Sequence, residues 1–242
     1  MVQRSEHEQK ARVDLADCYH IVDQFGWTDL IYTHISSRIQ HEEGTLLINP
    51  YNWLFEQITP DNLVKIDYDG NVKEAEPFAF LNKTGYVIHS AIHRARPEVT
   101  CVMHMHTVAG MALSTLECGL LPITQHACRF YNRIGYHDFN GLLCDVKDQD
   151  RLVKDLAHHK AMILRNHGLI TVGRTIGEAF GLMHFLERAA QAQLQAMATG
   201  AKLIVPPPEI CEKTARQHGD DYRVNGALEW HALVKRLRDA KK

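Results

Sequence analysis

Thr100-Cys-Val-Met-His-Met-His-Thr107 is the stretch on which the reading of the whole chain turns. It is apolar, follows an Arg96-Pro97 break and ends in two histidines one residue apart. In a strand, residues i and i+2 point to the same face, so His104 and His106 present two imidazoles side by side while Met103 and Met105 face the other way. A third histidine, His167, sits between two apolar runs in Ile163-Leu-Arg-Asn-His-Gly-Leu-Ile170, where Gly168 permits close backbone approach. Three neutral imidazoles with one open position make the pattern of a catalytic zinc site. A His-x-His pair is equally the mark of two buried, hydrogen-bonded strand histidines, and the spacing leaves both readings open.

Outward from this strand, the chain divides into short alternating elements. Ser5 and Glu8 have capping-box spacing, and Ala11, Leu15, Cys18, Tyr19, Val22 and Phe25 follow a helical period that Gly26 ends. Ile35 to Ile39 and Thr45 to Ile48 read as strands, with Gly44 in the turn between them. Thr59-Pro60-Asp61 predicts a short helix through Leu63. Val64 to Tyr68 and Asn71-Val72 form a hairpin about Asp69-Gly70. Thr84 to Ala95 is helical and is stopped by Pro97. Thr107 to Leu116 reads as a helix behind the histidine strand, Leu121 to Thr124 as a strand, and Cys128 to Gly141 as a loop. Asp148 to His158 is a helix, Ala161 to Leu164 and Leu169 to Val172 are strands about His167, and Thr175 to Thr199 is a long helix closed by Gly200. Pro206-Pro207-Pro208 marks a boundary, so the chain is read as a domain over 1–205 with a helical extension over 206–242 that holds two helices. The short hairpins and the lack of a dinucleotide-binding glycine fingerprint predict an α/β fold on a mostly antiparallel sheet.

The 242 residues are 45% hydrophobic and 23% charged, with a formal net charge of −2, which suits one large domain or a domain with an extension. No basic run interleaved with aromatics argues for nucleic acid, and no apolar stretch approaches the length of a membrane span. The first residues show no hydrophobic signal region. Six cysteines are scattered without a Cys-x-x-Cys pair, which reads as reduced core residues in a cytoplasmic protein.

Three segments, Asn82 to His106 (NKTGYVIHSAIHRARPEVTCVMHMH), Gly119-Leu-Leu-Pro-Ile123 and Leu164-Arg-Asn-His-Gly-Leu169, together resemble the class II aldolase/adducin head family, and the likeness runs from about Ala11 to about Gly200. Asn-Lys-Thr-Gly and Arg-Asn-His-Gly-Leu are closer to its adducin-like branch than to the sugar-phosphate aldolases. The resemblance implies a central sheet with helices on both faces, a homotetramer with sites at subunit boundaries, and His104, His106 and His167 as the metal ligands. It implies a divalent ion, with zinc first and manganese, cobalt, nickel or iron also fitting an all-imidazole set. It also implies a catalytic glutamate four residues before a helix histidine that matches His89; here that position is Gly85. Candidate proton donors are then Tyr86, beside it, and Tyr131, Tyr136 and His137 in the later loop. His34 falls where the family places a substrate-contact loop. The family's phosphate grip is altered here, at the positions that match Thr33-His34, Tyr51-Asn52 and Lys83-Thr84. Ser36, Ser37, Arg38, Asn49, Lys83 and Thr84 still suit an anion, a carboxylate at least as well as a phosphate. His89 and His93 lie four apart on one helix face, a spacing open to a two-histidine metal motif but without the glutamate of His-Glu-x-x-His; the resemblance implies a packing role for His89. Glu178 and Glu187 read as solvated or paired.

Two functions compete. One is a metal-dependent lyase that cleaves or decarboxylates a small hydroxy- or oxo-carbonyl compound through a metal-stabilised enediolate. The other is a non-catalytic oligomeric binding module like the adducin head, with cytoskeletal partners. Retention of three histidines favours the lyase; Gly85 favours the module.

Overall fold

The computed structural model describes residues 4–142, 146–219 and 226–240; the side chains of residues 83, 84, 146 and 147 also lie outside that description. The strands are β1 (His34–Arg38), β2 (Thr45–Ile48), β3 (Val64–Asp67), β4 (Val72–Glu74), β5 (Cys101–Met105), β6 (Gly135–His137), β7 (Ala161–Leu164) and β8 (Gly168–Gly173). The helices are α1 (Glu6–Gln24), α2 (Lys83–Ala95), α3 (Val108–Ser114), α4 (Gln125–Cys128), α5 (Val146–Leu156), α6 (Ile176–Ala198), α7 (Pro208–Gly219) and α8 (Ala227–Asp239). Among the described residues the strands form one sheet in the order β4-β3-β2-β1-β5-β8-β7-β6. Every pairing is antiparallel except β6 with β7.

Strand alternation sorts the core into two layers. Ile35, Leu47, Cys101, Met103, Met105, Ala161, Ile163 and Leu169 point to one face, where they pack with apolar residues of α1, α3 and α6. Val102, Met162, Leu164, Ile170 and Val172 point to the other and meet Ile88 and Ile92 of α2 and Leu152 and Leu156 of α5. The sheet is thus covered on both faces, and the methionines of β5 do face away from its histidines. Leu237 of α8 is buried in the first layer, and α8 packs on α1 and α6. No helix among the described residues is long and apolar enough to cross a membrane.

Three expected elements differ. Thr59 to Leu63 forms a turn rather than a helix: the Thr59 N–H donates to Asn62 Oδ1 and the Asn62 N–H to Thr59 Oγ1, and β3 begins too soon for a helix to propagate. Leu121 to Thr124 is not a strand. The Gln193 side chain accepts from the Leu121 N–H and donates to the Gly119 carbonyl, taking backbone groups a neighbouring strand would need. The expected loop from Cys128 to Gly141 contains β6, which extends the sheet by pairing in parallel with β7, a long-range contact with no local pattern. Ser5 caps α1 by accepting from the Glu8 N–H, but the Glu8 carboxylate binds Arg12 and Lys65 instead of closing the capping box.

Tyr19 joins α1 to the sheet. Its buried hydroxyl accepts from the Ile35 N–H at 2.8 Å and the Asn49 N–H at 3.2 Å, and its one hydrogen is shared between the Ile35 carbonyl and Asn49 Oδ1. Tyr19→Phe leaves these buried amides without their shared acceptor, and urea denaturation is expected to show a loss of about 2 kcal/mol. An unchanged midpoint would mean the hydroxyl contributes nothing.

Candidate metal centre

β5 delivers His104 at its end and His106 just beyond it. The third histidine arrives through the tight β7–β8 turn. Leu164 pairs with Gly168, and Asn166 between them adopts a left-handed φ of 55°. The turn is anchored by the His167 N–H, which donates to Ser114 Oγ, and by the Arg165 N–H, which donates to the His137 carbonyl. Position 168 must be glycine: an added Cβ would lie 2.6 Å from the Met105 carbonyl oxygen.

The three Nε2 atoms converge. His106 Nε2 lies 3.0 Å from His104 Nε2 and 2.9 Å from His167 Nε2. The other nitrogens determine what these atoms are. His104 Nδ1–H donates to the Leu169 carbonyl at 3.1 Å, and His106 Nδ1–H donates to the Asp29 carboxylate at 2.9 Å. With each neutral ring's one hydrogen on Nδ1, both Nε2 atoms carry lone pairs, which cannot hydrogen-bond to one another. Burial, and then the neighbouring imidazoles, hold His104 well below its ordinary pKa, and the same causes push His167 down to about 4, so both are neutral near pH 7. Zinc–nitrogen bonds of 2.0–2.1 Å in tetrahedral geometry need nitrogens about 3.3 Å apart, close to the spacing seen. The set fits a divalent cation, and it is the cluster of candidate ligands found among the described residues. His104 is buried while His106 and His167 are half-buried, which leaves the centre open to solvent on one side.

Thr107 steadies the end of β5. It caps α3 by accepting from the Gly110 N–H and donates to the buried Glu187 carboxylate at 2.5 Å. Glu187 and Glu178 are both buried; Glu187 accepts from Thr107 and Gln191, and Glu178 is ion-paired with Lys160.

Residues 13–194 match the family model of the class II aldolase and adducin N-terminal domain. The chain belongs to this family. The class II aldolase fold is shared with an aldolase II superfamily protein from Pseudomonas syringae, with a TM-score of 0.93 at 41% identity over 98% of this chain and 95% of that one. It is shared with an L-fuculose 1-phosphate aldolase from Glaciozyma antarctica, with a TM-score of 0.86 at 26% identity over 100% of this chain and 95% of that one. Alpha-adducin of Rattus norvegicus is 39% identical over 194 residues, which is 79% of this chain and 26% of the adducin.

In this class II aldolase/adducin domain the other expected site residues separate. His34 lies opposite His104 in the β1–β5 register, with ring centroids 5.1 Å apart. Ser36, on the same face, is hydrogen-bonded to His89 and His93. Arg38 serves the Val99 and His93 carbonyls and Tyr68. Ser37 points the other way, into a groove of about 1230 Å³ that also reaches His93 but does not contain the triad. Asn49 is held by Tyr19. Tyr86 packs with the β2–β3 cluster, Tyr136 accepts from the Leu120 N–H, and His137 is tied to Asp155 at 2.7 Å. Tyr131 lies in the turn after α4, where its carbonyl accepts from Arg133. The Lys83 and Thr84 side chains lie outside the described residues. Asp29 was not foreseen: one acidic residue before Leu30 carries no local signal, and only the fold brings it to His106.

Two outcomes follow from these contacts. Asp29→Asn is expected to weaken zinc binding roughly tenfold or more, read by competition with a chelator, because an oriented carboxylate makes its histidine a better ligand. His89 and His93 are fully buried, and burial holds His89 well below 6.5 and pushes His93 down to about 3. The unfolded chain protonates them near 6.5, so it binds more protons than the folded chain as pH falls, and stability is lost below that value. The melting temperature of metal-free protein should fall steadily from pH 6.5 to about 4; a flat profile there would contradict neutral burial.

Proposed function

We propose that this chain is a metal-dependent lyase that acts on a small hydroxy- or oxo-carbonyl compound, by aldol cleavage or decarboxylation. The observation that carries the reading is the convergence of three Nε2 atoms, two of them fixed as lone pairs by the Leu169 carbonyl and Asp29. The likeness to an L-fuculose 1-phosphate aldolase supports carbon–carbon bond cleavage as the reaction class. A bound ion supplies a Lewis acid that polarises a carbonyl. The chain's own residues hold it and orient it: His104, His106 and His167 as ligands, Leu169 and Asp29 behind them. Zinc is the resident ion in this reading, since an all-imidazole set suits it.

The side chains bear on which reaction is run. Gly85 carries no acid, and an added Cβ there would lie 2.8 Å from His34 Cδ2. Decarboxylation of an oxo-acid asks for no base at the departing carboxylate, which favours it over aldol cleavage here. The reading takes 1–205 as the catalytic domain and 206–242 as a helical extension, and a homotetramer as the working form. A cytoplasmic location is supported by five cysteines without a disulfide among the described residues. The likeness to alpha-adducin supports the competing reading, a binding module without turnover.

Elemental analysis of protein purified without chelator distinguishes the two. The wild type is expected to carry about one zinc per chain and His104→Ala almost none, as removing one of three ligands leaves an incomplete site. A wild type that stays empty after zinc is added would overturn the lyase and leave the binding module.

A further inference from the structure

β1 and α2 enclose a line of polar groups that ends beside the triad. His34 Nδ1 lies 2.8 Å from His89 Nε2; His89 Nδ1 lies 2.5 Å from Ser36 Oγ; Ser36 Oγ lies 2.8 Å from His93 Nε2; and His93 Nδ1 lies 3.3 Å from the Val99 carbonyl oxygen. His34, Ser36, His89 and His93 are all buried. Distances alone do not say where the protons sit, but the far end does. A carbonyl only accepts, so His93 Nδ1 carries hydrogen and His93 Nε2 is a lone pair. Ser36 must then donate to His93. Having spent its one hydrogen, Ser36 accepts from His89 Nδ1–H, so His89 Nε2 is a lone pair. His34 Nδ1–H donates to it. His34 Nε2 is left as a lone pair, and it makes no hydrogen bond among the described residues.

The room for this ring comes from Gly85. An added Cβ there would stand 3.1 Å from His34 Nε2 and 2.8 Å from Cδ2, so a side chain at position 85 and the His34 ring are mutually exclusive. The ring therefore sits between Gly85 and His104 with its tautomer imposed from four residues away.

We infer that the Val99–His93–Ser36–His89 line fixes His34 as a hydrogen-bond acceptor beside the metal centre, and that His34 Nε2 selects substrates that carry a hydroxyl next to the chelated carbonyl. This rests on the lyase reading, in which the triad holds an ion that chelates the substrate. A hydroxyl donates to the lone pair, whereas a bare methyl or an ether oxygen in the same place leaves it unpartnered, and an unmet buried acceptor disfavours the complex.

The test pairs two probes on zinc-loaded protein: glycolohydroxamate and acetohydroxamate, which chelate alike and differ by one hydroxyl. Calorimetry is expected to show glycolohydroxamate binding roughly fivefold tighter. His34→Phe should abolish that preference while zinc content stays unchanged. Nitrogen-15 spectra of the histidine rings in the wild type should show His34 protonated on Nδ1, and Ser36→Ala should relax that tautomer. Equal affinities for the two probes in the wild type, a preference that survives His34→Phe, or a His34 ring protonated on Nε2 would each overturn the inference with the metal site intact. Failure to bind zinc at all would instead overturn the lyase reading, and this inference with it. If His34→Phe does not fold, the wild-type spectra and probe pair still decide.

Discussion

Imidazole lone pairs aimed at one another repel, yet this protein holds the Nε2 atoms of His104 and His167 within 3.0 Å of that of His106. Two of the rings cannot escape by changing tautomer, because the Leu169 carbonyl and the Asp29 carboxylate hold their protons on Nδ1. A cation between them turns that repulsion into attraction. The surrounding structure is best understood as the frame that keeps the rings in place against the cost of bringing them together.

The frame is a matter of register. Residue pairing across β1, β5 and β8 places His34 opposite His104 and His104 opposite Ile170. A slip by one residue would turn His104 into the methionine layer. The slip is opposed from both sides. Met103 and Met105 are buried against α1, α3 and α6, and Val102 is buried against α2 and α5. Thr107, held by Glu187, fixes where the strand ends, and Gly168 lets the β7–β8 turn come close enough for His167 to reach.

The same register sets β1 under α2, and here the chain makes an exchange. Space that a side chain at position 85 would occupy is given to the His34 ring. The site then acquires a neutral nitrogen whose hydrogen-bonding polarity is imposed by a backbone carbonyl at Val99, well removed along the sequence. The buried histidines His89 and His93, whose helical spacing left packing and metal binding open, are the middle of that connection.

Local chemistry made much of this legible. Period-two alternation identified β5 and the direction of its two histidines, helical spacing identified α1, α2 and α6, and glycines marked the turns, because each signal depends on near neighbours in the chain. The quoted motifs carried the family, and the missing acid at Gly85 was plain from one position. The sequence could not show β6, whose partner lies far along the chain, nor that Gln193 would occupy the backbone of Leu121, nor that Glu187 would be buried. It could not show Asp29 behind His106 or tell which nitrogen of His34 bears hydrogen, because both depend on long-range hydrogen bonds. What the sequence determined by itself was most of the strands and helices and which histidines could serve as ligands, through short-range sterics and hydrophobic period. What only the tertiary structure decided was which polar atoms meet, because lone pairs and protons are assigned by partners that the chain brings together from dozens of residues apart.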